Sequence, residues 1–209
     1  MSAHSVSLLA VPRTTPPRSG RAAPMRPEDR RAAIIAATVP LVTEHGYDVS
    51  TRQIAQAADI AEGTIFRVFE TKDELINEAV RAALDPRETE EKLRAIDPAL
   101  PLDQRVQEAA TLLQHRMASS VRLVAAVGMA RIPHEAHADR EARHAEHIKL
   151  LSQLFEPDRA NLSCNPLDAA RFFQILALGG SHPHLAGGQI MEPAEITAFL
   201  LDGIRRHDP

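Results

Sequence analysis

Apolar residues recur at helical spacing from Pro27 onward. Ile34, Thr38 and Leu41 fall on one face of a helix, and Gly46 follows where a glycine commonly ends one. The pattern therefore predicts a first helix that begins at Pro27 and ends at Gly46.

Three short helical signals follow in quick succession. Residues 50–53 have the spacing of a capping box and lead into an apolar stripe. Ala61–Phe69 carries Ile65 and Phe69 four residues apart, and a second capping box at residues 71–74 opens a helix that runs to Leu84. Two short helices cannot bury enough apolar surface alone, so we expect them to pack on the first helix as a helix-turn-helix.

Beyond Pro86 the amphipathic stretches become longer. Asn165 and Pro166 have the preferred residue types for the start of a helix, which Gly179 and Gly180 are expected to end. Helices are predicted near residues 103–119, 121–131, 134–155, 166–179 and 193–206. No alternating strand pattern of useful length is present, so the predicted fold is all-α.

The predicted fold has two parts, a three-helix helix-turn-helix domain and a C-terminal helical bundle for ligand binding and dimerisation. The proposed divisions are a disordered basic tail (1–25), a DNA-binding domain (26–72), a connecting helix (73–84) and an effector-binding and dimerisation domain (85–209).

The composition of the chain argues against several classes of protein. Apolar residues make up 44% of the chain, aromatic residues only 3%, and a single cysteine, Cys164, excludes an intramolecular disulfide. No apolar run reaches the roughly 18–20 residues needed to span a bilayer, so we expect no membrane partner and a cytoplasmic location. The net charge is −4, but residues 1–81 hold ten basic and ten acidic side chains, so the acidic excess lies in the second part.

The outward face of the second short helix carries the candidate chemistry. A glycine in a first helical turn costs about 1 kcal/mol relative to alanine, so Gly63 suggests a surface that a partner approaches closely. Thr64 and Arg67 can bind phosphates or base edges, while Thr51 and Lys72 begin the flanking helices. The candidate DNA contacts are Thr51, Arg52, Glu62, Gly63, Thr64, Phe66, Arg67 and Lys72. Composition alone equally allows these to be ordinary solvated residues.

A basic N-terminal segment precedes the first helix. Arg13, Arg18, Arg21 and Arg26 could reach into a minor groove, or the segment could simply be a solubilising tail.

The ordered series from Ile54 to Leu75 resembles the signature of the TetR (tetracycline repressor) family. It contains an Ile-Ala pair at residue 54, Gly63-Thr64, the aromatic Phe66, then Phe69, Lys72 and an acidic-Leu pair that ends at Leu75. The resemblance extends from Arg31 to Val80. It implies an all-α homodimer whose N-terminal domain binds a palindromic operator and whose C-terminal domain binds an inducer.

Two positions depart from the family pattern. Asp59 stands where the turn usually has glycine, and aspartate tolerates a left-handed backbone better than most residues. Phe66 replaces a tyrosine whose hydroxyl reaches a phosphate, so it lacks that bond and could contact DNA only by stacking against sugar or a thymine methyl group.

In the resemblance, the last two long helices pair with their copies in a dimer. The predicted dimerisation residues are Phe172, Phe173, Leu176, Ile196, Phe199, Leu200 and Ile204. Such apolar stripes could instead pack within the monomer. An apolar effector pocket is expected among the helices of residues 103–155, lined by Leu113, Met117, Val124, Val127, Leu151 and Phe155. Such a lining suits a hydrophobic or amphipathic effector, and it is equally compatible with no effector at all.

A histidine-rich segment offers a different function. His134, His137, His144 and His147 lie near Glu141 and could bind a metal, although a solvated helix face is the simpler interpretation. The chain has no nucleophile motif and no phosphate-binding glycine loop. We therefore predict a DNA-binding repressor released by a small hydrophobic effector, with no catalysis, cofactor or metal. The alternatives are a small-molecule-binding protein without operator binding and a histidine-based metalloenzyme.

Overall fold

The structure is a computed structural model that describes residues 26–132 and 137–205. Within these ranges every regular element is helical, as the sequence predicted, apart from one isolated bridge between Leu162 and Arg205. The helices are α1 (Pro27–His45), α2 (Thr51–Ala57), α3 (Glu62–Val68), α4 (Lys72–Leu84), α5 (Arg87–Arg94), α6 (Leu102–Val127), α7 (His137–Ser152), α8 (Pro166–Ser181) and α9 (Pro193–Ile204). The predicted tail at residues 1–25 lies outside the described residues. None of the described helices has the length and apolar character that a bilayer crossing requires.

Local signals account for most helix ends. Gly46 terminates α1 with φ of 57°, and Ser50 and Gln53 form the predicted reciprocal capping box at α2. Asn165 caps α8 by accepting a hydrogen bond from the Asp168 amide. The Gly179–Gly180 pair does not end α8, which continues to Ser181.

Two helix predictions were wrong. The segments predicted at 103–119 and 121–131 form one continuous helix, α6, because the serines between them cost a helix only a few tenths of a kcal/mol. The sequence pattern also missed α5, which buries only Leu93. That helix is instead stabilised on its surface by ion pairs one turn apart, Lys92 with Glu88 and Arg94 with Glu90.

The buried side chains form two cores, and α6 contributes to both. The first core joins α1–α4 to the C-terminal end of α6, where Leu123 and Val127 are buried among residues such as Ile34. The second core joins the N-terminal half of α6 to α7, α8 and α9, around Phe155 and Phe173. The DNA-binding unit predicted at 26–72 therefore includes part of a helix that the sequence assigned to the C-terminal domain.

A 3-10 turn (Gly46–Asp48) follows α1, and contacts at its start fix α1 against α6. Gly46 lies so close to α6 that a Cβ atom built there would overlap the carbonyl oxygen of Ala126. Next to it, the Tyr47 hydroxyl donates to Asn77 Oδ1 at 2.6 Å, and the Arg131 guanidinium lies 4.3 Å from the Tyr47 ring centre. The end of α1 and the C-terminal end of α6 are therefore held together by close backbone packing.

Replacing Gly46 with alanine should destabilise the fold by about 2 kcal/mol or more, because it adds a left-handed backbone penalty to a steric overlap. Chemical unfolding measures this loss. Gly203→Ala is the control, since Gly203 is exposed within α9 and a Cβ atom placed there would have nothing within 4 Å. That substitution should be neutral or slightly stabilising, and equal stability of the two variants would contradict the close packing at Gly46.

Candidate nucleic-acid interface and ligand cavity

The turn between α2 and α3 has the predicted left-handed residue. Asp59 has φ of 52° and is the only described non-glycine residue with a positive φ. The Ile60 amide donates to the Ala55 carbonyl at 3.0 Å, and this hydrogen bond closes the turn that contains Asp59. The tight helix-turn-helix geometry is therefore obtained without glycine.

The seven-residue helix α3 is anchored by its inner face and open on its outer face. Ile65 and the following Phe69 are fully buried, whereas Glu62, Gly63 and Arg67 are exposed. Thr64 is half-buried, and nothing lies within 4 Å of a Cβ atom built on Gly63. The absence of a side chain at Gly63 therefore leaves open space that no group of the described chain fills.

Phe66 is 53% exposed on this same face. A large apolar ring gains nothing from contact with water, so its exposure at this position is consistent with a surface that a partner covers.

The hydroxyl of Thr51 has a partner that the sequence did not indicate. It donates to Glu62 Oε1 at 2.5 Å and so joins the start of α2 to the start of α3. Thr51 was predicted to contact DNA, but this hydroxyl is already engaged and would have to exchange its partner to bind a phosphate. Glu62, also a predicted contact, here holds the two helices together.

Arg31 of α1 fixes the C-terminal end of α3. Its guanidinium donates to the Val68 carbonyl at 2.8 Å, to Glu74 at 2.7 Å and to Glu78 at 2.6 Å. It also lies 4.3 Å from the centre of the Phe69 ring. One cation therefore joins α1, α3 and α4.

Arg31 is accordingly a positioning residue that the sequence analysis missed. Its hydrogen bonds to Glu78 and Glu74 raise the pKa of Arg31, and those from Arg31 and the Glu70 amide lower the pKa of Glu74. The available signal was the pair Glu74 and Glu78, one turn apart on α4. Such like charges repel unless a cation lies between them.

Basic side chains flank α3. Arg52 is exposed on α2, and Lys72 is half-buried at the first position of α4, whose cap Thr71 accepts from the Glu74 amide at 3.0 Å. Glu74 does not complete the predicted reciprocal box, since it accepts from the Glu70 amide instead.

A shallow cleft of about 400 Å³ beside α3 adds one further basic residue. It is bordered by Arg30 of α1 together with Thr64 and Arg67. Arg30 is exposed and was not among the predicted contacts.

A second concave site lies between α4, α5, α6, α7 and α8. It has a volume of about 290 Å³. Its apolar lining is Leu84, Pro86, Leu113, Met117 and Leu178. Its polar lining includes Glu90, Arg116, Arg143, His144, His147 and Gln174.

The predicted effector-binding residues need correction. Leu113 and Met117 line the cavity, but Val127 is buried in the first core, and Leu151 and Phe155 are buried in the second. Val124 is half-buried and does not line the cavity. The predicted lining residues are apolar, whereas this cavity also has polar lining residues, because periodicity identifies buried residues without showing which of them border a space.

The histidine segment contributes to the cavity. Burial lowers the pKa of His147, opposed by Glu90 and reinforced by Arg116 and His144. Among the described residues no three His, Cys, Asp or Glu side chains are grouped so that they could hold a metal ion. His134 and the side chain of His137 lie outside the described part of the chain.

The predicted dimerisation residues divide between core and surface. Phe173, Ile196, Leu200 and Ile204 are buried within the monomer, and Leu176 is half-buried against the same core, so this part of the assignment is corrected. Phe172 and Phe199 are open to solvent. Together with Ile175 and Leu178 they form an exposed apolar face on α8 and α9, hereafter the α8–α9 face.

Comparison with protein families gives a match over the helix-turn-helix. Residues 34–79 match the model of bacterial regulatory proteins of the TetR family. The HTH-type transcriptional regulator YhgD of Bacillus subtilis is 32% identical over 83 residues, which are 39% of this chain and 42% of that protein. The HTH-type transcriptional repressor KstR of Mycobacterium tuberculosis is 29% identical over 134 residues, which are 64% of this chain and 60% of that protein. Both alignments thus span less than two thirds of the curated relative.

Solved structures share the whole fold. A TetR-family transcriptional regulator from Agrobacterium tumefaciens superposes with a TM-score of 0.55 at 17% identity, covering 87% of this chain and 100% of that one. A TetR transcriptional regulator from Streptomyces coelicolor gives a TM-score of 0.53 at 20% identity, covering 85% and 99%. The likeness therefore includes the C-terminal helices as well as the helix-turn-helix.

Replacing Gly63 with alanine should change the stability of the fold and the affinity for DNA in opposite directions. The substitution should stabilise α3 by up to about 1 kcal/mol, since alanine favours helix and the added methyl group meets no atom of the chain. DNA affinity should nevertheless fall on the order of tenfold if a nucleic-acid backbone approaches this position. Thermal unfolding and DNA-binding titrations of the variant and the unaltered protein measure the two effects. Unchanged DNA affinity would show that Gly63 has no steric role.

Proposed function

We propose that this chain is a TetR-family regulator, a sequence-specific DNA-binding repressor that binds a palindromic operator as a homodimer and is released by a small-molecule effector. The observation that carries this proposal is the outer face of α3. It combines an open glycine at residue 63 with the neighbouring Thr64 and Arg67 on a helix held rigidly by Arg31.

We assign base contacts to α3 and phosphate contacts to its surroundings. Arg67 is exposed, and its forked guanidinium matches the acceptor edge of guanine. Lys72 lies at the first position of the thirteen-residue helix α4, where free backbone amides favour a phosphate. Arg52 and Arg30 extend the positive charge on either side.

Selection of bound sequences from random double-stranded DNA tests the proposal directly. We expect enrichment of a palindrome, with affinity that falls steeply as salt increases, because phosphate contacts release counterions. A protein that selects no sequence at any salt concentration would instead support the alternative of a helical ligand-binding protein without operator binding.

Loss of Arg67 and loss of Lys72 should affect DNA binding in different ways. Arg67→Ala should relax sequence preference and cost about 1–3 kcal/mol at the preferred site. Lys72→Ala should weaken binding to all sequences equally and reduce the salt slope by about 1. Binding isotherms at several salt concentrations separate these effects, with Arg81→Ala, exposed in the last turn of α4, as the charge-matched control. Identical effects from Arg67 and Lys72 would contradict the assignment.

The α8–α9 face supports assembly with a second copy of the chain. Phe172 is 49% exposed, and Ile175 and Phe199 are each 67% exposed. Several large apolar side chains exposed on two neighbouring helices are typical of an interaction site, and most homo-oligomers are two-fold dimers with self-complementary patches.

The double substitution Phe172→Asp and Phe199→Asp should convert the dimer to a folded monomer, because it places charges in an apolar contact without disturbing either core. Sedimentation velocity measures the oligomeric state. Met129→Asp is the control, since Met129 is 70% exposed and belongs to neither α8 nor α9. A doubly substituted protein that still sediments as a dimer would place the interface elsewhere.

We assign effector binding to the cavity between α4 and α8. Arg116 of its lining donates to the Asp85 carbonyl at 2.9 Å and to the Leu84 carbonyl at 2.8 Å, at the end of α4. The opposite end of α4 carries Lys72 and is bound through Glu74 to Arg31. A ligand that alters the Arg116 contacts thus acts on the helix that borders the DNA-binding face.

A further inference from the structure

The charge of Arg116 is incompletely matched within the protein. Its guanidinium is half-buried, and both of its hydrogen bonds in the described chain go to neutral carbonyl groups, those of Leu84 and Asp85. No described carboxylate lies within ion-pairing distance of it. A guanidinium has five N–H donors, so donors remain for a ligand.

The neighbouring carboxylates of Asp85 and Glu90 favour the charged form of Arg116, but neither forms an ion pair with it, and Asp85 is paired with Arg87. The carboxylate of Glu90 already accepts from Arg94 at 3.2 Å. His147 is substantially withdrawn from water, and burial lowers its pKa, so at neutral pH its ring offers hydrogen bonds without adding charge. Burying a charge without a partner is costly, whereas a bidentate guanidinium–carboxylate pair is among the strongest hydrogen-bonded contacts.

The cavity also has an apolar part. Leu113 is buried on α6, Met117 lies one turn further along the same helix, and Leu178 of α8 also lines the space. At about 290 Å³ the cavity lies at the small end of the range for ligand sites, which favours a small ligand.

We propose that this cavity binds a small amphipathic carboxylate, held at its charged end by Arg116 and His147 and along its hydrocarbon part by Leu113, Met117 and Leu178. This inference rests on the proposed role of the cavity as the effector site. An organic cation of the same length would be repelled by Arg116, and an uncharged analogue would leave the guanidinium unmatched.

Calorimetric titration of the full chain with hexanoate, octanoate and decanoate tests the inference. Octanamide and octylammonium serve as probes of equal length and different charge. We expect at least one of the acids to bind, and octanamide and octylammonium to bind more weakly than octanoate by on the order of tenfold or more, the range expected for losing a hydrogen bond to a charged group.

Variants assign the binding to Arg116. Arg116→Gln should weaken binding of the acids on the order of tenfold, while Arg122→Gln, exposed on the same helix and outside this cavity, should leave it unchanged. Arg116 also binds the end of α4, so its replacement could affect folding. Met117→Phe therefore provides a second variant, which fills the cavity while keeping the cation and should also abolish binding.

The outcomes are separable from those for DNA binding. Equal affinity for octanoate and octanamide, no binding by any acid of the series, or unaltered binding by a folded Arg116→Gln protein would overturn the ligand assignment. A chain that selects a palindrome but fails these titrations retains its proposed role as a repressor. If the chain binds the acids but selects no DNA sequence, the proposed ligand site is retained and the proposed operator binding is rejected.

Discussion

The contacts of Arg31 determine where α3 lies. A seven-residue helix is too short to be stable alone in water, so its position must come from tertiary contacts. Arg31 binds its last carbonyl, covers Phe69 and joins two carboxylates of α4. Because these contacts lower the pKa of Glu74 below that of the unfolded chain, its ionised form stabilises the fold at neutral pH. That contribution is lost only as the pH falls below the ordinary carboxylate range.

Features encoded by neighbouring residues were predictable from the sequence. The cap at Ser50, the left-handed Asp59, the glycine after α1 and the start of α8 each depend on a few adjacent positions. The division of apolar residues between core and surface was not predictable. Phe172 and Phe173 are adjacent and chemically identical, yet one is half exposed and the other fully buried. The arc of a helix that faces its own core depends on how its neighbours pack, which periodicity alone does not specify.

In the candidate sites, too, features set by neighbouring residues were predictable and contacts between distant residues were not. Gly63 and Arg67 were identifiable because a costly glycine and an outward arginine are local signals. The bond from Thr51 to Glu62 and the bonds from Arg116 to the end of α4 were not identifiable, since they join residues that only the fold brings together. These longer-range bonds determine which polar groups remain available to a ligand, so the chemistry of the cavity emerged only with the structure.

The shared helix α6 has a consequence for how the molecule can be divided. With 26 residues it extends about 39 Å, and it supplies Val106 and Leu113 to one core and Leu123 and Val127 to the other. A fragment cut after α4 would leave a gap in its own interior where Leu123 and Val127 belong. The helix-turn-helix half is therefore not a detachable module, and transplanting it into a fusion protein would require including the C-terminal end of α6.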